Sequence, residues 1–289
     1  MTKNSRTILI SGCSSGIGLA CALGLQQKGW RVFASARQMA DVQMLAELGL
    51  ESVLLDVADS SSIKAAVQAV LEKTAGRLDA VFNNAGFGVP GAVEDLSREA
   101  MRFQFETNVF GAIELSNAVL PVFRKQGAGR LIFNSSVLGF AAMPYRGAYN
   151  ASKFALEGFA DTLRQELQGS GICVSLIEPG PIVSRFRANA AEQFKRWIEP
   201  ETSFHWPSYK VMLSRLNKTG PAAPFTLPEQ AVLDVLLHAL DESKPRLRYR
   251  VTLPSKIFWY LKRLLPTRVL DRVLLQASGD EPGFAYRRK

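Results

Sequence analysis

The sequence predicts an α/β fold, a doubly wound and mostly parallel sheet of seven strands with helices on both faces and a C-terminal helical extension. Short runs of β-branched and apolar residues alternate with helical patterns along residues 7–178. The strand-like runs are almost continuously apolar, as in parallel strands that are covered on both faces. The 289-residue sequence is 47% hydrophobic and 21% charged, which is typical of globular proteins and excludes a disordered chain.

Seven strands are predicted in chain order: 7-TILIS-11, 31-RVFAS-35, 52-SVLL-55, 78-LDAVF-82, 129-GRLIFN-134, 172-ICVSLIE-178 and 247-LRYRVT-252. Helical spacing of apolar residues predicts helices near residues 16–28, 60–75, 98–121, 148–168 and 228–241. Strands that alternate with helices in this way form a sheet with helices on both faces.

The alternation ends after 179-PGP-181. Residues 184–226 carry scattered aromatic residues and several prolines. Long connections of this kind are usually lids or binding loops. We therefore expect residues 184–226 to form a lid over the carboxyl edge of the sheet.

The basic charge is concentrated at the C-terminus. Residues 244–289 hold twelve Lys/Arg against three acids, which accounts for the whole formal net charge of +9. Residues 255–289 predict two short amphipathic helices separated at Pro266. Such a segment packs on its own domain, packs on a second subunit or lies on a membrane surface. We expect packing, with no nucleic-acid partner and with peripheral membrane contact through 255–289 as the alternative.

The cysteines and histidines do not indicate a metal site. Cys13, Cys21 and Cys173 form no Cys-x-x-Cys pair, and His205 and His238 lack ligand spacing. The opening MTKNSR leads into a short apolar run without the longer hydrophobic region of a secretory signal. No apolar stretch reaches the roughly 18–20 residues that span a bilayer. We therefore expect a cytoplasmic protein without a metal.

The segment 11-SGCSSGIG-18 follows the first strand and opens the first helix. Its glycines, Gly12, Gly16 and Gly18, allow a tight turn and a close approach of the backbone to a pyrophosphate at a helix N-terminus. An ordinary Gly/Ser turn is the alternative. The position between strand and helix favours a dinucleotide site.

The end of the second strand predicts which dinucleotide is bound. An NAD enzyme usually carries an acid there for the ribose 2′-hydroxyl, whereas a 2′-phosphate needs a cation. The sequence 35-SAR-37 has no carboxylate before Asp41, and Arg37 can pair with a phosphate. The cofactor predicted from these residues is NADP(H).

The stretch 147-GAYNASK-153 places Tyr149 and Lys153 on one helix face. A lysine charge beside a phenol favours phenolate, and a cationic nicotinamide acts in the same direction, so we expect a Tyr149 pKa near about 7. Alone, this pair is equally consistent with an amphipathic surface. Ser136, at the carboxyl end of a predicted strand, and Asn108, in 107-TNVFG-111, favour an active site.

These motifs resemble those of the short-chain dehydrogenase/reductase family. The glycine loop, 83-NNAG-86, Asn108, Ser136, the Tyr-x-x-x-Lys pair and 179-PG-180 stand in the family's order over roughly residues 5–252. The details CSSGIG, SAR and GAYNASK are similar to an NADP-preferring branch with retinol and hydroxysteroid dehydrogenases and bacterial aldehyde/ketone reductases. The resemblance implies one Rossmann-type catalytic domain, residues 1–254, followed by the basic extension 255–289.

The resemblance also implies a role for each site residue. Tyr149 would be the acid/base, Lys153 would bind the nicotinamide ribose, Ser136 would orient the carbonyl and Asn108 would hold a water. The neighbouring Ser135 stays an alternative to Ser136. The implied cofactor contacts are Gly12, Ser14, Ser15, Gly16, Ile17, Gly18, Arg37, Asp56, Val57, Asn83, Ala85, Gly86, Tyr149, Lys153, Pro179, Gly180, Ile182 and Ser184.

The expected reaction is reversible NADPH-dependent reduction of an aldehyde or ketone, in which the cofactor carries the hydride. The expected substrate contacts are Ser136, Leu138, Phe140 and Met143. The apolar side chains of the last three predict a bulky retinal-like, steroid-like or long-chain substrate. The rival is an NADP-binding sensor or scaffold without turnover. The resemblance implies a homodimer or homotetramer.

Overall fold

A computed structural model of the protein describes residues 5–220 and 223–279. Its seven strands form one sheet in the order β3-β2-β1-β4-β5-β6-β7, and every neighbouring pair is parallel. The predicted doubly wound fold is therefore confirmed. The strands are β1 Thr7–Ile10, β2 Arg31–Ala36, β3 Glu51–Leu54, β4 Ala80–Asn83, β5 Gly129–Asn134, β6 Ile172–Glu178 and β7 Arg248–Arg250.

The helices lie between and after these strands. They are α1 Gly16–Gln27, α2 Met39–Glu47, α3 Ser60–Lys73, α4 Arg98–Phe105, α5 Ala112–Gln126, α6 Gly147–Glu166, α7 Phe186–Trp197, α8 Trp206–Leu216, α9 Gln230–Asp241, α10 Leu253–Leu264 and α11 Thr267–Ala277.

Alternate residues of each strand pack into two different helix layers. In β1, Ile8 and Ile10 pack with α1, α2 and α9, whereas Leu9 packs with α3, α5 and α6. All three side chains are fully buried. Successive side chains of a strand point to opposite faces, so a strand buried on both faces must be apolar throughout.

The strand order reverses between β1 and β4. The chain leaves β1 towards β2 and β3 on one side, and it later enters β4, β5, β6 and β7 on the other. In open α/β sheets, ligands bind in the crevice beyond the carboxyl ends of the strands at such a switch point. The fold therefore directs the glycine loop after β1 and the NNAG segment after β4 to one crevice.

Three helical regions differ from the sequence patterns. The patterns did not predict α2, whose only fully embedded side chain is Leu45. The predicted helix 98–121 is divided by a π-helical segment, Glu106–Gly111, and α5 continues to Gln126. Residues 184–220 of the lid region form α7 and α8. A single buried residue is too weak a periodic signal to predict a helix.

The helices of the lid region pack beside the carboxyl edge of the sheet. Phe194 of α7 and Tyr209 of α8 share a buried apolar cluster with Ala92 and Tyr145. The Tyr209 hydroxyl accepts a hydrogen bond from the Ala92 amide at 2.9 Å and donates one to Asp95. These hydrogen bonds hold α8 against the segment between β4 and α4.

The C-terminal helices pack on the protein's own domain. Leu270 and Leu274 of α11 form a cluster with Val137 and Ala141, which follow Ser136. Phe258, Leu261 and Leu265 join this cluster from α10 and the turn after it. The expected packing is therefore seen in the described part of the extension, residues 255–279, and residues 280–289 lie outside the described residues.

Candidate active site

The glycine loop has backbone geometry that other residues rarely adopt. Gly12 has φ +74° and Gly16 has φ +56°, in the left-handed region that favours glycine. A Cβ on Gly12 would lie 2.8 Å from Ala85 Cα, and one on Gly18 would lie 2.1 Å from the Gly12 carbonyl oxygen. These glycines therefore allow the loop backbone to turn tightly at the N-terminus of α1, as a close approach to a phosphate requires.

Asn84 fixes this loop to the end of β4. Its Nδ2 donates hydrogen bonds to the carbonyl oxygens of Ser11 and Gly12, both at 3.0 Å, and its Oδ1 accepts one from Asn134 at 2.9 Å. By contrast, Asn83 donates to Ser116 of α5 at 3.1 Å, inside the domain. Within the motif 83-NNAG-86, Asn83 was expected to contact the cofactor, whereas Asn84 is the residue that contacts the glycine loop. Adjacent strand residues point to opposite faces, which a motif does not reveal.

Other predicted cofactor residues meet around the same crevice. A Cβ on Gly16 would lie 3.2 Å from the Ser184 Cβ, so the loop after β6 reaches the glycine loop. The Pro179 carbonyl accepts a hydrogen bond from the Val137 amide at 2.8 Å. A Cβ on Gly180 would lie 2.2 Å from Thr252 Oγ1, so this glycine allows the C-terminal segment to pack closely. Ser14, Ser15 and Ile17 belong to the glycine loop and the start of α1.

The carboxyl ends of β2 and β3 carry the residues expected beside the adenosine. Arg37 directly follows β2, is exposed and makes no ion pair with the described residues. Asp56, after β3, accepts a hydrogen bond from the Ala58 amide at 2.9 Å, and Val57 is buried beneath Gly111. A guanidinium without a protein partner at this edge is available to an anionic ligand.

Three elements carry the predicted catalytic residues. Tyr149 and Lys153 lie one turn apart on α6, and the ammonium is 5.7 Å from the phenol ring centroid. The Tyr149 hydroxyl is hydrogen-bonded to Ser136, which follows β5. Asn108 lies in the π-helical segment. π-Helical segments occur frequently at functional sites because they redirect side chains from the regular helix face.

The two serines after β5 have different surroundings. Ser136 begins a short 3₁₀ turn, and its Oγ accepts a hydrogen bond from the Leu138 amide at 3.1 Å. Ser135 is more deeply buried, its amide bonds to the Ile177 carbonyl at 2.8 Å, and its hydroxyl faces Glu157. Ser136 is therefore the serine that contacts Tyr149.

Lys153 is buried and held by the backbone. Its Nζ donates to the Asn134 carbonyl oxygen at 2.7 Å, and burial lowers the pKa of Lys153 to about 8, with the charge of Glu157 opposing that shift. Asn108 Nδ2 donates to the Phe87 carbonyl at 2.9 Å and to Ser152 Oγ at 3.1 Å. The Cβ position of Gly86 lies 3.2 Å from Asn108 Oδ1 and 3.6 Å from Lys153 Nζ. A side chain at residue 86 would fill the space between them.

The Tyr149 pKa differs from the expectation of about 7. Burial raises the pKa of Tyr149 to about 12, and the hydrogen bond with Ser136 opposes this only in part. The Lys153 ammonium lies 5.7 Å from the phenol ring centroid and donates to the Asn134 carbonyl oxygen. The protein's own groups therefore keep this phenol protonated at neutral pH.

Phe186, the first residue of α7, lies against Tyr149. Its ring centroid is 5.2 Å from that of Tyr149 in an edge-on arrangement, and a Cβ on Gly88 would lie 3.0 Å from the Phe186 ring. Phe186 is 37% exposed, so part of its surface is free to meet a ligand. The sequence predicts that Phe186 lies in the lid region, 184–226, but does not predict its contact with Tyr149.

The predicted substrate residues after Ser136 lie near the C-terminal helices. Leu138, Phe140 and Met143 are partly buried and pack against the cluster formed by Val137, Ala141, Leu270 and Leu274. Much of their apolar surface therefore meets α10 and α11. Their contact with a substrate stays a prediction.

The described residues contain no group of three or more potential metal ligands. Within the same part of the chain, no helix combines the length and the apolar character needed to cross a membrane.

Comparisons with known proteins agree with this geometry. A family model described as short chain dehydrogenase matches residues 6–195. The chain is 43% identical over 269 residues to YbbO, an uncharacterized oxidoreductase of Escherichia coli strain K12, with 93% of this chain and 94% of that protein covered. It is 34% identical over 263 residues to retinol dehydrogenase 8 of Homo sapiens, with 86% and 82% covered.

Solved structures share the fold. A short chain dehydrogenase/reductase from Burkholderia phymatum in complex with NAD superposes with a TM-score of 0.75 at 24% identity, covering 90% of this chain and 92% of that one. A short chain dehydrogenase from Burkholderia cenocepacia J2315 in complex with NADP gives 0.73 at 20% identity, covering 94% and 98%. At such identities the likeness concerns the fold alone.

Proposed function

Because this chain belongs to the short-chain dehydrogenase family of oxidoreductases, we propose that it reduces an aldehyde or ketone with NADPH. The observation that carries the proposal is the hydrogen bond between the Tyr149 and Ser136 hydroxyls beside the buried Lys153. A protonated phenol next to a second hydroxyl can bind a carbonyl oxygen and give it a proton.

Each residue has a role that follows from its surroundings. When bound, the nicotinamide supplies the hydride that adds to the carbonyl carbon. Tyr149 gives its proton to the carbonyl oxygen as negative charge develops there, and Ser136 orients that oxygen. Lys153, anchored at 2.7 Å to the Asn134 carbonyl, places a positive charge beside the ribose and the phenol. Asn108 holds the backbone at Phe87 and positions Ser152.

The raised pKa of Tyr149 favours the reductive direction. Reduction needs the protonated phenol, which burial stabilises. Oxidation of an alcohol needs the phenolate, and the positive charge of an oxidised nicotinamide would lower the pKa towards that state. At neutral pH the protein's own groups therefore prepare the site for proton donation.

The pH dependence of reduction is expected to follow Lys153. The kcat/KM for reduction will be level below about pH 7.5 and will decline as pH rises through about 8, where the buried Lys153 loses its charge. Tyr149, with its pKa raised to about 12, remains protonated over this range. Initial rates with NADPH from about pH 6 to pH 10 measure the profile. In Lys153→Arg, kcat/KM will decline at a higher pH than in the wild type, because a guanidinium keeps its charge.

A level profile in both proteins would contradict a catalytic requirement for the charge of Lys153. A decline at the same pH in Lys153→Arg would assign the titration to another group.

Support for NADPH over NADH comes from the exposed Arg37 after β2. The Arg37→Ala variant is expected to raise KM for NADPH roughly 10–100-fold, because a charge-assisted hydrogen bond to the 2′-phosphate is worth about 1.5–3 kcal/mol. KM for NADH will change less than about threefold, because NADH has no 2′-phosphate. Steady-state kinetics with both cofactors measure the two effects.

Arg77→Ala serves as the matched control for this variant. Arg77 is equally exposed but precedes β4, at the opposite edge of the sheet. Equal losses with NADPH and NADH in Arg37→Ala would contradict a 2′-phosphate contact.

The proposed substrate is a bulky apolar carbonyl compound, such as a retinal-like, steroid-like or long-chain aldehyde. Its support is the partly exposed Phe186 ring against Tyr149 and the identity with retinol dehydrogenase 8. Turnover of small charged keto acids in preference to such compounds would contradict this part of the proposal.

A further inference from the structure

The helix α10 has an apolar face that stays exposed among the described residues, 5–220 and 223–279. Leu253, Ile257, Tyr260 and Leu264 recur at intervals of four, three and four residues and are 45%, 42%, 59% and 74% exposed. This spacing places them along one side of the helix, which we call the outer stripe. Another side of α10 carries Phe258 and Leu261 into the cluster with Val137 and Ala141. The helix α10 is therefore apolar on two sides. Among the described residues, only the side with Phe258 and Leu261 is packed against the domain.

Positive charge predominates in the segment that carries the outer stripe, although Lys262 lies on the opposite side of α10. Residues 253–279 contain Lys256, Lys262, Arg263, Arg268 and Arg272 against the single acid Asp271. At 100° per residue, Lys256 and Arg263 border one side of the stripe. The Arg263 guanidinium lies 3.7 Å from the Trp259 ring centroid, and the Lys262 ammonium lies 4.7 Å from that of Phe154, which is itself 39% exposed. Aromatic rings thus hold two of these cations next to exposed apolar surface.

We propose that the outer stripe of α10 and these cations form a docking surface for an anionic phospholipid bilayer. Helices that lie in a bilayer interface combine an apolar face with lysine and arginine on the polar side, and their affinity grows with both features. The anionic lipid headgroups would supply the negative charge that the segment lacks.

A second copy of the chain fits this surface less well. A symmetric contact would place the stripe against itself and bring Lys256 and Arg263 of one protomer near the same residues of the other. Such contacts between like charges oppose association. A bilayer pairs the apolar stripe with acyl chains and the cations with phosphates, so both parts of the surface gain a partner.

Docking in this orientation places the site near the bilayer. The helices α10 and α11 pack on the segment that follows Ser136. If the proposed function holds, an apolar carbonyl dissolved in the membrane would reach the site from this side. That consequence rests on the proposed function, whereas bilayer binding itself does not.

Co-sedimentation of the full chain with vesicles tests the docking surface. Wild-type protein should sediment with phosphatidylcholine vesicles that contain phosphatidylglycerol, and added salt should release it. It should remain in the supernatant with pure phosphatidylcholine. The double variant Ile257→Gln/Leu264→Gln should lower partitioning at least about tenfold, because it removes two inserting side chains. The variant Lys256→Glu/Arg268→Glu should lower partitioning at least roughly fivefold for each cation that it reverses.

Matched controls change similar residues elsewhere on the surface. Met39→Gln/Leu48→Gln removes two exposed apolar side chains of 54% and 46% exposure near α2, and Lys28→Glu/Lys125→Glu reverses two exposed cations. Both should partition like the wild type, and circular dichroism melts should confirm that every variant is folded.

Several results would overturn the docking surface. These are failure of the wild type to bind anionic vesicles, equal binding to neutral vesicles, and equal losses in test and control variants. An oligomer that forms without lipid and that Ile257→Gln/Leu264→Gln dissociates would assign the stripe to a second copy instead. Tyr149→Phe should bind vesicles normally, so loss of turnover and loss of docking can be distinguished.

Discussion

Replacing Tyr149 with phenylalanine will lower kcat for carbonyl reduction by about 10²–10⁴-fold, the usual contribution of a positioned proton donor. The variant removes one oxygen and keeps the ring that packs edge-on against Phe186. NADPH binding should change by less than about threefold, because the glycine loop and Lys153 remain. Turnover is measured by NADPH absorbance, and binding is measured by quenching of protein fluorescence.

Tyr145→Phe is the matched control for Tyr149→Phe. Tyr145 lies four residues earlier, and its hydroxyl is 3.4 Å from His205 Nδ1 in the lid cluster, not next to Ser136. Its turnover should stay within about threefold of the wild type. Unchanged turnover in Tyr149→Phe would remove this phenol from the mechanism, whereas loss of NADPH binding would make its role structural.

Replacing Gly18 with alanine is expected to weaken NADPH binding by roughly 100-fold or more. The new Cβ would lie 2.1 Å from the Gly12 carbonyl oxygen and 2.6 Å from Asn84 Nδ2, so the loop backbone has to move. A shift of about 1 Å in a positioning element can cost about 10²-fold. Isothermal titration calorimetry with NADPH measures the loss.

Gly158→Ala provides the control, since a Cβ on this exposed residue of α6 would meet nothing within 4 Å. It should bind NADPH normally and melt at an equal or higher temperature, because alanine favours the helix by about 1 kcal/mol. Normal NADPH affinity in Gly18→Ala would contradict the assignment of this loop to the cofactor.

The sequence predicted the sheet well because its strands are buried on both sides. Residues 8–10 of β1 and 131–133 of β5 are buried and apolar at every position, which leaves a strong local signal. The short helix α2 gives little such signal, with Leu45 as its one buried residue. The π-helical segment is also invisible to a pattern based on 3.6 residues per turn, although Asn108 lies within it.

The sequence predicts site residues that belong to a local motif. It does not predict residues that reach the site only through contacts between distant segments. Gly12, Gly18 and the Tyr149–Lys153 pair depend on local spacing. Asn84 and Phe186 depend on which strand face or distant helix meets the crevice. Periodicity within one segment contains no information about such contacts between segments.

The difference between the expected pKa of Tyr149 and the pKa that its surroundings favour has the same origin. A lysine one turn away predicts a lowered pKa, but Lys153 donates to Asn134, and burial raises the pKa of the phenol to about 12. Desolvation therefore outweighs the nearby charge. Sequence spacing indicates that two groups can meet, whereas their hydrogen-bond partners determine how they titrate.

Isotope transfer tests the central claim most directly. NADPH that carries deuterium in both positions at nicotinamide C4 is incubated with the full chain and with retinal, a steroid ketone or a fatty aldehyde, and the products are examined by mass spectrometry. We expect an alcohol with one deuterium at the former carbonyl carbon, formed by the wild type and reduced by about 10²–10⁴-fold in Tyr149→Phe. Tight NADPH binding without any deuterated alcohol across the carbonyl panel would contradict a reductase and favour a nucleotide-binding sensor.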